Sequence, residues 1–284
     1  MQTDIEHCDW NAAWRTAHDA GSLSCKDKAF WNHRAASFAS HANHKSDYPQ
    51  QFLNIVRPRS HWRVLDLGCG PGTVAIPMAP LVSQITALDF SDRMLAILQD
   101  RCAEKKIAHI KPVQADWTDD WQALGIEPHD LVMASRSFSP ADLEETIAKM
   151  NRYATCQVCI SAPVGTGPFD RRIMAAAGRA FRPGPDYIYI LNQLHRMKIY
   201  ARLAFTIHPV NRTYADHREA LDECRWMIPD MTSEEQNRLL DFFEKNLIRH
   251  DNRWHLPGTP VVRWAVIIWD VPQDKTPGWE EKEK

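Results

Sequence analysis

The densest chemical signal in this chain is ten consecutive residues, Val64-Leu65-Asp66-Leu67-Gly68-Cys69-Gly70-Pro71-Gly72-Thr73. The apolar run reads as a strand. Three glycines then turn the chain with no Cβ in the way, so backbone can lie against a ligand, and a helix leaving the turn aims its free N–H groups at the same place. That is the layout of a nucleotide-type site. A dinucleotide fingerprint needs glycine at the first, third and sixth positions, whereas counting from Gly68 the sixth is Thr73 and the fifth is Gly72. A pyrophosphate binder such as an NAD enzyme is disfavoured. Further on, Asp89 closes a second β-rich run, 17 residues after Gly72. A carboxylate there can accept from two vicinal hydroxyls at once. Asp116 follows a third run, in a polar loop shared with Asp119 and Asp120.

The series Asp66-x-Gly68-x-Gly70-x-Gly72 resembles motif I of the class I S-adenosylmethionine-dependent methyltransferases. The resemblance continues through Thr86-Ala87-Leu88-Asp89-Phe90-Ser91 with Met94-Leu95, then Gln114-Ala115-Asp116-Trp117, and covers roughly residues 62–162. It implies S-adenosylmethionine as cofactor. Asp66, Gly68, Cys69, Gly70 and Gly72 would surround it at the first turn, with Asp66 orienting either the loop or the ligand's amino group. Asp89 would take the ribose hydroxyls beside Phe90 and Met94, and Asp116 the adenine amino group beside Trp117. Phe90 and Trp117 suit either the flanks of the adenine ring or the core. Ser135 and Arg136 should face the site, because ligands of open α/β sheets lie at the strands' C-terminal ends; Ser135 is assigned to the cofactor and Arg136 to the substrate. The segment Ala134-Ser135-Arg136-Ser137-Phe138-Ser139-Pro140 lacks the Asn-Pro-Pro-aromatic motif of relatives that methylate nucleobase or glutamine amines. A small-molecule acceptor gains by that absence.

A sulfonium methyl needs no protein nucleophile, so the catalytic residues are left open, with His33, His195, His208 and Tyr187 as conceivable bases. Between Arg171 and Arg202 lie Arg171, Arg172, Arg179, Arg182, Arg196, Lys198 and Arg202 against one acid, Asp186, with Phe181, Tyr187, Tyr189 and Tyr200 interleaved. That composition suits a cap over a small anionic substrate, with Arg179, Arg182, Tyr187 and Arg196 joining Arg136. The same charges could instead pair with the acidic helices containing Asp222, Glu223, Glu234, Glu235, Asp241 and Glu244, or touch RNA. Cys156 and Cys159 sit three apart in a strand, where side chains alternate, and His41 and His44 lack ligand partners. No metal is expected.

The elements that must position these residues follow from pattern. Trp10, Trp14, Phe30, Trp31, Phe38, Phe52 and Leu53 recur at helical spacing up to about residue 60. From Trp62, runs at 64–67, 84–88, 110–114, 131–134 and 157–160 alternate with helical segments, as βαβ units do. Ser91 and Ser139 are expected helix caps, Thr232 with Glu235 forms a capping box, and Pro77 and Pro80 should shorten the helix after Gly72. Two late runs, 199–207 and 261–269, would complete a doubly wound, Rossmann-like, mostly parallel sheet of seven strands. The predicted division is a helical lid over 1–60, a cofactor-binding core over 61–165, and cap insertions with the last two strands over 166–284. Net charge is −2 over 284 residues, which supplies no global field for nucleic acid or an anionic membrane. Seven scattered cysteines and the absence of a secretory pattern or spanning segment fit a cytoplasmic protein. The competing functions are RNA methylation and a non-catalytic adenosyl-ligand-binding regulator; oligomeric state is left open.

Overall fold

The computed structural model describes residues 8–21, 27–43, 47–209, 212–228, 230–258 and 261–272. Three helices lead: α1 (Trp10–Ala20), α2 (Lys28–Asn43) and α3 (Tyr48–Val56). The expected alternation follows as β1 (Arg63–Leu67), α4 (Ala75–Met78), β2 (Gln84–Asp89), α5 (Asp92–Glu104), β3 (Ile110–Gln114), β4 (His129–Ser135), α6 (Leu143–Tyr153) and β5 (Ala154–Pro163). Then come α7 (Arg171–Ala177), α8 (Tyr187–Arg196), β6 (Arg202–Pro209), α9 (His217–Cys224), α10 (Ser233–Asn246), the short pair β7 (Ile248–His250) and β8 (Arg253–His255), and β9 (Val261–Asp270).

Seven strands form one sheet in the order β3-β2-β1-β4-β5-β9-β6, parallel except for β9, which runs antiparallel to both neighbours. Alternation along the strands explains its two covers. Val64, Ile85, Met133 and Cys159 face a layer containing α3, α4 and α5, while Leu65, Leu67, Val132 and Ile160 face α1, α6 and α8. A third apolar cluster, with Ile173, Ala177, Leu239 and Phe243 at its centre, joins α7, α9 and α10 into a helical cap. Among the described residues no helix is long and apolar enough to cross a membrane.

Local chemistry decides the details. Pro77 and Pro80 hold α4 to four residues and one further 3-10 turn. Ser91 Oγ caps α5 by accepting from Met94 N at 3.1 Å, and Thr232 with Glu235 closes the capping box of α10. Two expectations are corrected. Asp142 rather than Ser139 caps α6, its Oδ1 accepting from Glu145 N at 2.8 Å; Asp142 directly precedes the first turn, whereas Ser139 lies three residues further back. β6 begins at Arg202, because residues 199–201 are still leaving the end of α8. Cys156 and Cys159 also depart from simple alternation: the β4–β5 register shifts between His129 and Leu131, and both thiols touch one apolar layer. No group of three metal-ligating side chains occurs among the described residues, and the side chains of His41 and His44 lie outside them.

Candidate active site

The strand order reverses between β1 and β4, and a pocket of about 910 Å³, partly open to solvent, lies at the C-terminal ends of β1, β2 and β4. The turn after β1 makes its floor. Gly68, Gly70 and Gly72 have φ of +66°, +53° and +79°, a region that side chains other than glycine enter at a cost. Their surroundings differ. A Cβ on Gly68 would lie 2.5 Å from Ser137 Cβ, and one on Gly72 would lie 2.5 Å from Leu98 Cδ1. A Cβ on Gly70 would meet only Phe38 Cε1 at 3.9 Å. Gly70 therefore opens backbone toward the pocket, whereas Gly72 lets α5 pack against the turn and is absent from the pocket lining.

Two buried carboxylates stand beside that turn. Asp89 ends β2, where Oδ2 accepts from Gly70 N at 2.8 Å and Oδ1 from Ser91 N at 2.9 Å. Each oxygen keeps a further lone pair. Burial raises the Asp89 pKa above the carboxylate norm, against the pull of those two N–H groups. Asp66, 1% exposed, has an Oδ1 with no hydrogen-bond partner. Burial, reinforced by the Asp89 charge, pushes its pKa up to about 7. A buried oxygen left unpaired costs about 1–3 kcal/mol, so its position on the pocket wall calls for a donor from a ligand.

Cys69, Phe90, Met94, Asp116 and Trp117 also reach the pocket. Burial drives the Cys69 thiol well above its ordinary pKa, so it serves as an apolar wall. Asp116 Oδ1 accepts from Thr118 N at 3.2 Å within its own loop. Trp117 lies edge-on to Phe138 at 5.6 Å between centroids, holding one face of its indole beside the opening. Trp31 and Phe38 of α2, which the sequence presented only as helix aromatics, line the pocket as well. Their seven-residue spacing, two turns of one helix face, was the available signal. Arg34 lies between them and caps the Trp226 ring at 4.4 Å, tying α2 to the helical cap. Burial, with help from nearby Arg212, lowers the Arg34 pKa to about 10.

The far side of the pocket is built at the end of β4. Arg136 takes a left-handed φ of +59°, which turns its guanidinium to 4.1 Å from the Tyr48 ring centroid and 5.8 Å from that of Trp264. It has no carboxylate partner among the described residues, and burial lowers its pKa. Tyr48 Oη donates to Ser161 Oγ at 2.9 Å and lies 2.7 Å from Ser135 Oγ. A phenol has one hydrogen, so with it directed to Ser161 the Ser135 hydroxyl donates to Tyr48. The lone pairs of Ser135 then remain for the pocket.

Residues 64–155 match a family model described as a methyltransferase domain. An uncharacterized protein of Haemophilus influenzae is 30% identical, with the match covering 85% of this chain and 88% of that one. The chain belongs to the class I S-adenosylmethionine-dependent methyltransferase superfamily. It is thus an S-adenosylmethionine-dependent methyltransferase. The malonyl-[acyl-carrier protein] O-methyltransferase of Bacillus cereus is 30% identical over 38% of this chain and 40% of its own length. A solved structure from Bacillus halodurans with a methyltransferase designation shares the fold at a TM-score of 0.52 and 15% identity, covering 80% of this chain and 99% of that one.

In this methyltransferase the pocket gathers Asp66, Gly68, Cys69, Gly70, Asp89, Phe90, Met94, Asp116, Trp117, Ser135 and Arg136. The other anticipated substrate residues lie elsewhere. Arg179 forms a fork with Glu235 of α10, Nε to Oε1 at 2.5 Å and Nη2 to Oε2 at 2.9 Å. That is the pairing with the acidic helices considered from the sequence. Arg196 Nη1 lies 3.4 Å from Asp9 Oδ1, across the α1–α8 contact. Arg182 is exposed on the link between α7 and α8, and Tyr187 packs edge-on to Phe205 at 5.7 Å. None of the four lines the pocket. The anticipated lid divides likewise: α2 supplies the wall, α3 brings Tyr48 beneath Ser135, and α1 packs against α6 and α8.

Proposed function

We propose that this methyltransferase acts on a small, anionic acceptor held at Ser135 and Arg136. The observation that carries the reading is the Arg136 guanidinium, drawn into the pocket wall, stacked on Tyr48 and without a carboxylate partner among the described residues. Arginine presents a fixed fork of donors that suits carboxylate or phosphate. The Bacillus cereus relative is named for a malonyl acceptor, which is an acid, and that likeness supports the same chemistry.

The residues fit the cofactor on features of this pocket: Asp66, whose buried Oδ1 has no hydrogen-bond partner, lines it, and the Gly70 backbone is open to it. S-adenosylmethionine supplies an electrophilic methyl on a sulfonium centre. Around it, Asp66 would accept from the amino group, Asp89 from the ribose hydroxyls with its remaining lone pairs, and Trp117 and Phe90 would border the adenine. Trp31 and Phe38 shield the opening from water, which strengthens the electrostatics inside. Ser135 offers an acceptor lone pair to an O–H or N–H on the substrate, and Arg136 anchors its charge, so the attacking atom is oriented before reaction.

The test is transfer of labelled methyl from S-adenosylmethionine into a metabolite extract separated into anionic, neutral and cationic small molecules, RNA and protein. Label is expected in the anionic small molecules and is expected to fall at least tenfold with Arg136→Gln. Label confined to RNA, protein or cationic metabolites would overturn the reading.

A further inference from the structure

Asp116 and Trp117 reach the pocket on a loop that is neither strand nor helix, since β3 ends at Gln114 and β4 begins at His129. Carbonyls at its start take their donors from side chains instead. Two are answered from α6: Lys149 Nζ donates to Trp117 O at 2.7 Å and to Asp119 O at 2.6 Å. A third, Asp116 O, accepts from Trp121 Nε1 at 3.0 Å, and the same Lys149 ammonium lies 4.2 Å from the Trp121 ring centroid. We propose that Lys149 is a positioning residue for the adenine end of the cofactor, clamping the 116–121 loop in the shape that presents Asp116 and Trp117 to the pocket. The inference rests on the reading that Trp117 borders the adenine and Asp116 takes its amino group, and assigns what holds them there.

The clamp has a firm base. Helix α6 buries Thr146, Ile147 and Met150 around Lys149, so the stem of the lysine leaves a packed surface. Trp121 is 1% exposed, lines the pocket itself, and packs edge-on to Tyr153, one turn beyond Lys149, at 5.1 Å between centroids. An ammonium has three donors and no acceptor, so it can bridge two carbonyls while its charge rests against the negative face of an indole. Burial, and more weakly Arg152, lower the Lys149 pKa, while Glu145, Asp119 and Asp120 hold it up. Inside the loop, Asp116 N donates to Asp119 Oδ2 at 2.8 Å, which ties the anchored Asp119 back to Asp116. Asp116 Oδ1 accepts from Thr118 N at 3.2 Å and Thr118 Oγ1 at 3.3 Å, leaving Oδ2 for a ligand. The rest of the cofactor site is held differently, by β1, β2 and the glycine turn through Asp89. Loss of the clamp should therefore be felt at the adenine rather than along the whole ligand.

The probes are S-adenosylhomocysteine and its analogue with purine in place of adenine, which lacks only the 6-amino group, each titrated into the full chain by calorimetry. The parent should bind the analogue at least about tenfold more weakly. Lys149→Met, which keeps a long helix-compatible side chain but loses every donor, should weaken S-adenosylhomocysteine about tenfold and the analogue by no more than about threefold. The preference for the amino group then shrinks to about threefold or less. Lys149→Gln, too short to bridge both carbonyls, should behave as Lys149→Met does, and Lys149→Arg should restore most of the preference; urea unfolding of each variant confirms a cooperative fold. If the parent prefers the amino group and the Met and Gln variants keep that preference, with affinities unchanged or lowered equally for both ligands, the role of Lys149 is overturned and the adenine reading stands. A parent that binds both ligands alike would remove the adenine reading and the proposal together.

Discussion

The two sides of the pocket carry opposite charge. Along the ends of β1 and β2 stand two buried carboxylates, Asp66 and Asp89, whose pKa values are raised by burial. Along the end of β4 stands one guanidinium, Arg136, whose pKa burial lowers. Each side is strained in the direction that a ligand of opposite charge would relieve. A cationic cofactor on the acidic side and an anionic substrate on the basic side would neutralise both, and would place donor and acceptor at their meeting point. The sides also differ in how much they spend internally. Asp89 already holds the glycine turn and the α5 entrance, whereas the Arg136 guanidinium lies on aromatic faces, with no carboxylate partner among the described residues.

The largest expected effect on this contrast comes from Gly70→Val, which fills the open approach with a branched side chain at a positive φ. Binding of S-adenosylhomocysteine should become undetectable by calorimetry, with circular dichroism confirming the fold; normal binding would show that the turn does not cradle the ligand. Asp89→Ala removes charged acceptors worth roughly 1.5–3 kcal/mol each, so affinity should drop on the order of a hundredfold. An unchanged affinity would reassign Asp89 to the turn alone.

Asp66→Asn tests the strain on the acidic side by itself. With a native pKa of about 7 against an ordinary 3.8, Asp66 holds its proton in the folded protein where the unfolded chain has lost it. The stability it lends is complete below about pH 4 and is lost as pH rises through about 7. The Asn variant should therefore match the parent near pH 4 and exceed it at pH 8 by on the order of 2–4 kcal/mol in urea unfolding without ligand. A difference independent of pH would show that Asp66 is not held protonated. Smallest should be Phe38→Ala, which uncovers the opening without touching a polar group and should weaken S-adenosylhomocysteine about threefold to tenfold. A loss as large as that from Asp89→Ala would make α2 a primary binding element.

The acidic side could be read in the chain because it is local: Asp66 to Trp117 lies on three successive strand ends, and each end brings one short motif to the rim. The basic side could not. Tyr48, Ser135, Ser161 and Trp264 come from α3 and three strands, and only the antiparallel insertion of β9 beside β5 brings Trp264 near Arg136. Charge density in 171–202 pointed elsewhere, because composition cannot tell an arginine facing a ligand from Arg179 clasping Glu235. The faces of β6 were likewise hidden: Thr206 is buried while Leu203, Phe205 and Ile207 are half-exposed, and alternation shows that two faces differ but not which one meets the interior.

The central claim, that one pocket holds two separable charge sites, is tested most directly by calorimetry of S-adenosylhomocysteine with the parent chain, Asp89→Ala and Arg136→Gln side by side. The account predicts an affinity about a hundredfold weaker for Asp89→Ala and within about twofold of the parent for Arg136→Gln. Equal losses in the two variants, or a loss confined to Arg136→Gln, would contradict it.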